Sequence, residues 1–147
     1  KGVDAVAKIT SIDGEKEWLS KATSEKYLFA IINKENDTLL GNISLMNIHD
    51  VNRTAELGIF IGDENYLSRG YGSEAIMLLL DYGFKYANLN NIMLKVFDYN
   101  KRAIRAYEKC GFKIFGVWKK SHYFNGEYSD EIFMNILKED FMKDNNK

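Results

Sequence analysis

Arg69-Gly70-Tyr71-Gly72-Ser73-Glu74 runs into an apolar series at positions 76, 79, 80, 83, 84 and 87. Steps of three and four residues put the whole series on one stripe of an α-helix. Immediately downstream, Asn91 to Phe97 reads as a buried strand, and Asn100 opens a second helix with small or apolar positions at 103, 104 and 107 and Gly111 placed as its stop. Upstream, Tyr27 to Ile32 and Leu39 to Ile48 are β-rich runs joined by the turn-like Asn33-Lys34-Glu35-Asn36-Asp37. The polar connection His49 to Arg53 leads into Thr54 to Ile61, which makes three consecutive antiparallel strands. A meander followed by helix, strand, helix and further strands specifies a mixed α/β sheet with strand-helix-strand crossings in its second half.

The flanks complete this reading. Glu15 to Ala22, with Trp18 and Leu19, reads as a short helix. Phe112 to Trp118, Tyr123 to Tyr128 and Glu131 to Leu137 read as strands, with Asn125-Gly126 as a tight turn. Residues 143–147 form a polar tail expected to fray. Proline is absent and no linker, repeat or low-complexity tract interrupts the chain, so residues 1–147 are expected to form a single domain.

Composition narrows the function classes. Of 147 residues, 46% are hydrophobic and 14% aromatic, enough for a core and against compositional disorder. Twenty basic and 21 acidic side chains leave a net charge of −1, which argues against a nucleic-acid partner gripping the whole surface. Cys110 is the only cysteine and the two histidines, His49 and His122, lie far apart, so neither a disulfide framework nor a zinc site is expected, and no metal is assigned. No apolar run reaches the roughly 18 to 20 residues of a membrane helix, and residues 1–8 do not resemble a signal peptide. A soluble, cytoplasmic protein without a membrane partner is the expectation.

Several segments could carry chemistry, each with a plainer alternative. The glycines of Gly70-Tyr71-Gly72, followed by a helix whose first N–H groups lack internal partners, suit phosphate; they equally suit a turn with Ser73 as N-cap. The stretch Lys95 to Lys120 holds eight basic residues against Asp98 and Glu108. It could face a polyphosphorylated ligand or be a solvated helix face. Asn100, Ala103, Tyr107 and Gly111-Phe112 fit a cap, a core contact, an aromatic contact and a helix stop. Glu56 falls on the opposite face of its strand from Leu57, Ile59 and Ile61 and is either solvated or aimed into a cleft. Cys110 reads as a packing residue, with no histidine near it to activate it.

The order of Glu56-Leu57-Gly58-Ile59-Phe60-Ile61, Arg69-Gly70-Tyr71-Gly72-Ser73-Glu74-Ala75 and Val96-Phe97-Asp98-Tyr99-Asn100-Lys101-Arg102-Ala103-Ile104-Arg105-Ala106-Tyr107-Glu108-Lys109-Cys110-Gly111-Phe112 resembles the GNAT superfamily of acetyl-CoA-dependent N-acetyltransferases. Phe124 to Asp130 is similar to the late segment of its RimJ/RimL-type branch, which includes spermidine N-acetyltransferases. The likeness runs over residues 27–137. It implies a mostly antiparallel central sheet flanked by helices, with the N-terminal strand and first helix shortened. It also implies that acetyl-CoA is the co-substrate. Ile59, Phe60 and Ile61 would offer backbone groups to the pantetheine arm and thioester. Leu67, Ser68, Arg69, Gly70, Tyr71, Gly72 and Ser73 would wrap the pyrophosphate, and Asn100, Arg102 and Ala103 would meet the cofactor arm. Leu67 departs from the family's usual Gln or Arg at that position, which bears on affinity.

The mechanism implied is direct acetyl transfer to an amine, with Tyr107 giving a proton to the departing thiolate and Glu56 acting as base or anchor for the acceptor. A strand N–H near Ile59 would meet the charge that develops on the carbonyl oxygen. Cys110 is not needed as a nucleophile. The acceptor is expected to be a polyamine such as spermidine, a protein N-terminus or another small amine. Glu127, Asp130 and Glu131 together with Glu56 offer an acidic lining that suits a polycation. The reading leaves room for a homo-oligomer. The alternatives are a non-catalytic CoA-binding sensor of the same fold and a nucleotide-binding domain; the second lacks a lysine after the glycines and an evident magnesium-binding carboxylate.

Overall fold

A computed structural model describes residues 7–11, 27–33, 35–62 and 70–145. The strands are β1 (Ala7–Ser11), β2 (Tyr27–Asn33), β3 (Thr38–His49), β4 (Thr54–Ile61), β5 (Asn91–Phe97), β6 (Lys113–Phe124) and β7 (Glu127–Leu137). The helices are α1 (Tyr71–Lys85), α2 (Lys101–Lys109) and α3 (Lys138–Asn145). The helix expected at residues 15–22 lies outside the described residues.

One seven-stranded sheet carries the fold, in the order β1-β2-β3-β4-β5-β7-β6. The expected meander is present, from Phe29↔Ile43 between β2 and β3 to Ile43↔Ile59 between β3 and β4. β1, only five residues long, extends it on the outer edge of β2. β4 and β5 run parallel, joined through α1, and every other neighbouring pair is antiparallel. β7 lies between β5 and β6, so the chain passes over α2 to the outer edge and the following hairpin fills the space left.

Alternation along the central strands decides which face is covered. Ala55 and Leu57 of β4, Ile92, Leu94 and Val96 of β5, and Ile132, Met134 and Ile136 of β7 are all buried on one face. Against them α1 lays Ala75, Ile76, Leu79, Leu80 and Phe84, and Phe112 and Phe141 close the end of the same core. Burying one of these large side chains is worth roughly 1.5–3 kcal/mol, so this face supplies most of the apolar driving force.

Four local expectations are corrected. Ser73 is not the N-cap of α1: Gly70, at φ +84°, takes that place without a side-chain cap, and the helix begins at Tyr71, whose side chain is buried in the core. A left-handed backbone comes at little cost only to glycine, so the helix starts at that residue and not at the polar one downstream. Ala87 lies past the end of α1, though it still packs on the core. The strands expected at 112–118 and 123–128 belong to one hairpin of two long strands, with Lys119-Lys120 absorbed as a bulge between Trp118 and His122. Lys120 stands at φ +51° and its N–H donates to Asp130 Oδ1 at 2.8 Å. The tail is helical as far as Asn145, because Phe141 is buried against Phe84 and ties α3 to the core.

Candidate active site

The site begins where β4 and β5 stop pairing. Their parallel ladder holds only Thr54↔Asn91, Ala55↔Ile92 and Glu56↔Met93. Beyond it β4 follows β3 as far as Gly41↔Ile61, while β5 follows β7 as far as Phe97↔Glu131. The Gly62 N–H donates to the Leu40 carbonyl at 2.9 Å, which fixes the phase of the ladder. In an antiparallel pair successive residues turn their backbone groups to opposite sides. The even-numbered residues of β4 therefore bond to β3, and Leu57, Ile59 and Ile61 direct their N–H and C=O groups into the gap on the β5 side.

A groove of about 220 Å³ occupies this region, lined by Ile59, Phe60 and Ile61, by Gly72, Ser73 and Ile76 of α1, and by Asn100, Arg102, Ala103, Ala106 and Tyr107 on and before α2. Nine of these were expected from the sequence. Ile76 and Ala106 were not: Ile76 belongs to the same stripe that builds the core, and Ala106 follows Ala103 by one helical step of three, which could have singled it out. Leu67, Ser68 and Arg69 lie outside the described residues. Gly70 caps α1, and Tyr71 contributes its side chain to the core and not to the groove.

The walls are held together by local chemistry. The first hydrogen bond of α1 runs from the Glu74 N–H to the Gly70 carbonyl at 3.0 Å, so the Gly72 and Ser73 amides precede it and have no acceptor inside the helix. Asn100 caps α2 by accepting from the Ala103 N–H at 3.3 Å. The buried Cys110 thiol donates to the Ser73 carbonyl at 3.8 Å and so links the end of α2 to the start of α1. Burial raises the Cys110 pKa, against the opposing pull of that hydrogen bond and of Lys109, and the group stays a thiol at neutral pH. Tyr107 packs edge-on to Phe112 at 6.1 Å. Burial, with a smaller contribution from Cys110, raises its phenol pKa, and the group is held protonated.

Glu56 lies on the other face of β4, at the last rung before the strands part. Its Oε1 accepts from Asn47 Nδ2 at 3.0 Å and its Oε2 lies 3.6 Å from Lys95 Nζ. The other acids of the expected lining are dispersed. Asp130 is bonded to the Lys120 amide, Glu131 accepts from Ser121 Oγ at 3.3 Å, and Glu127 sits exposed beside the hairpin turn. By register Glu131 shares the face of Glu56, opposite Phe97, roughly 13 Å further along the strand direction. His122 stacks on Phe97 at 4.1 Å, and His49 accepts the Asn52 N–H inside a turn.

The backbone groups of Ile59 and Ile61 face the groove, and Gly72 lacks a Cβ where one would stand 3.3 Å from Ile61 Cδ1. An acetyltransferase (GNAT) domain family matches residues 3–113. The chain belongs to this GNAT family. Among relatives of the GNAT domain, the spermidine N(1)-acetyltransferase of Escherichia coli K12 is 35% identical over 102 residues, 69% of this chain and 54% of the relative. The spermidine N(1)-acetyltransferase of Vibrio cholerae is 32% identical over 76% of this chain and 64% of the relative. This chain thus spans between about half and two thirds of the length of these curated relatives. The crystal structure of the Vibrio cholerae spermidine N-acetyltransferase in complex with CoA and spermine superposes with a TM-score of 0.76 at 30% identity, covering 90% of this chain and 78% of that one. A dodecameric structure of the same enzyme gives a TM-score of 0.77, covering 92% of this chain and 79% of that one.

Proposed function

We propose that this GNAT domain transfers the acetyl group of acetyl-CoA directly to a primary amine, with polyamines as the acceptor class. One observation carries the reading: the Ile59 and Ile61 backbone, the start of α1, Asn100 and Tyr107 line a single groove at the point where β4 and β5 separate. The residues present fit acetyl-CoA, which when bound supplies an activated acyl carbon.

Each remaining requirement falls to a group of this chain. The amides at the start of α1 bind phosphate oxygens, favoured by the positive end of the helix dipole. Asn100 uses its side-chain oxygen as a cap, and its amide nitrogen is left to donate to the cofactor arm. The Ile59 N–H, fixed in a water-poor slot, donates to the carbonyl oxygen as negative charge grows there; one such donor is worth roughly 3–4 kcal/mol of barrier. Tyr107 donates its proton to the departing thiolate. The acceptor is a different problem, because a free alkylamine with a pKa of about 10.4 is protonated at neutral pH. Glu56 attracts that ammonium and helps remove its proton.

The polyamine assignment is supported by the spermidine-acetylating relatives and by Glu131 on the same face as Glu56, a second anionic point for an acceptor with more than one positive charge. Self-association of this chain is proposed on the likeness to the dodecameric enzyme. A thiol-release assay with acetyl-CoA and a panel of spermidine, spermine, short peptides and simple monoamines tests the reading. Turnover with polyamines above the others is expected. Tight acetyl-CoA binding without turnover on any amine would favour the non-catalytic CoA-binding alternative.

A further inference from the structure

Both oxygens of the Glu56 carboxylate are engaged, one by the Asn47 amide and one by the Lys95 ammonium. The side chain of Glu56 is only 15% exposed, while that of Lys95 is 45% exposed and approaches from the solvent side. Asn47 reaches the carboxylate because β3 bulges between Met46 and His49 and sets Asn47 at φ +51°. That backbone is unfavourable for most side chains, tolerated by asparagine, and typical of places where a strand is bent to re-aim one group. Lys95 lies two residues past Met93, the partner of Glu56 on the last parallel rung. Two residues along a strand return to the same face, so Lys95 stands beside Glu56 at the opening between β4 and β5.

We propose that Lys95 is an internal competitor of the acceptor: its ammonium holds the place on Glu56 Oε2 that the acceptor's ammonium takes, so that an amine enters by displacing it and Lys95 sets the KM for amines. The inference rests on the transferase reading and on Glu56 as the acceptor's anchor. The two cations are the same chemical group, a primary ammonium on an alkyl chain. With Asn47 fixed on the first oxygen, the second accommodates one of them at a time. The contact is long, at 3.6 Å, and its lysine end is open to solvent, so it is weak enough to yield. It handicaps every acceptor equally at this point, so Lys95 raises the KM of all amines and leaves the preference among them to other groups on the face.

The test measures kcat and KM for spermidine and for propylamine in the wild type, Lys95→Met and Lys95→Arg, each also in a Glu56→Gln background. Spermidine binding to the CoA-saturated protein is followed in parallel by calorimetry. Removing the internal cation is expected to lower KM for both amines by about fivefold with kcat nearly unchanged, and to tighten spermidine binding to match. Lys95→Arg is expected to keep the wild-type KM, and Lys95→Met to have no effect once Glu56 is Gln. An unchanged or raised KM in a Lys95→Met protein that still turns over overturns the proposal and leaves the transferase reading standing. Absence of turnover in the wild type overturns the transferase reading; calorimetry then decides on Lys95, tighter spermidine binding by Lys95→Met supporting its role and unchanged or absent binding overturning it.

Discussion

In the proposed mechanism Tyr107 gives up a proton, and its surroundings decide when it has one to give. Burial first, then Cys110, raise its pKa above the ordinary 10.0, so the phenol is neutral throughout the working range. Replacing it with phenylalanine is expected to leave acetyl-CoA affinity within a few-fold and to lower kcat by about a hundredfold, measured by calorimetry and thiol release. The same shift has a thermodynamic side. The folded state prefers the protonated phenol, so this contribution to stability is complete below pH 10 and is lost as pH climbs through the raised value. The melting temperature of the wild type is accordingly expected to fall more steeply above about pH 10 than that of Tyr107→Phe. Tyr107 was legible through the resemblance of the Asn100 to Phe112 block to the GNAT superfamily, since its spacing alone fits an aromatic contact. The engagement of Glu56 was not, because Asn47 and Lys95 lie on different strands and meet it only through a bulge and a register that no local spacing encodes.

At the level of elements, the turn into α1 and the cap of α2 make opposite demands. The turn needs room: a Cβ on Gly72 would press on Ile61 and carry its bulk into the groove. Gly72→Val is expected to weaken acetyl-CoA binding about tenfold or more in calorimetry, with the far-ultraviolet circular dichroism retained. The cap needs a particular atom, since the Asn100 oxygen satisfies an amide that would otherwise have no partner in the helix. Asn100→Ala is expected to cost about 1 kcal/mol in urea unfolding, and to weaken acetyl-CoA binding besides. The helices themselves were plain in the apolar spacing of 76, 79, 80 and 84. Their edges were not, because the start of α1 is set by the backbone freedom of Gly70, and Ser73 upstream of a helical stripe mimics a cap. The break seen at Lys119-Lys120 has a similar origin: two charged residues look like the end of a strand, whereas a bulge carries β6 through them to Phe124.

Across the whole molecule one apolar layer joins both halves of the sheet to α1, and its centre is sensitive to truncation. Phe84 is fully buried and lies 5.3 Å from the ring of Phe141. Phe84→Ala is expected to cost about 3–5 kcal/mol, read from urea denaturation, and to loosen α3 as well as α1. The class of fold was legible, since a meander followed by strand-helix-strand units admits few arrangements. One feature of its topology was not: β7 lies between β5 and β6, which reverses the order in which those strands are written.

That reversal bears on how the protein comes into being. During synthesis β5 and β6 emerge first, yet β5 has only its three-rung ladder to β4, and β6 has no neighbour in the sheet, until Glu127 to Leu137 has left the ribosome. The nascent chain therefore carries unpaired edges on both strands at once, and a pause in translation anywhere between residues 98 and 137 prolongs the interval in which those edges can pair with a neighbour on the same messenger.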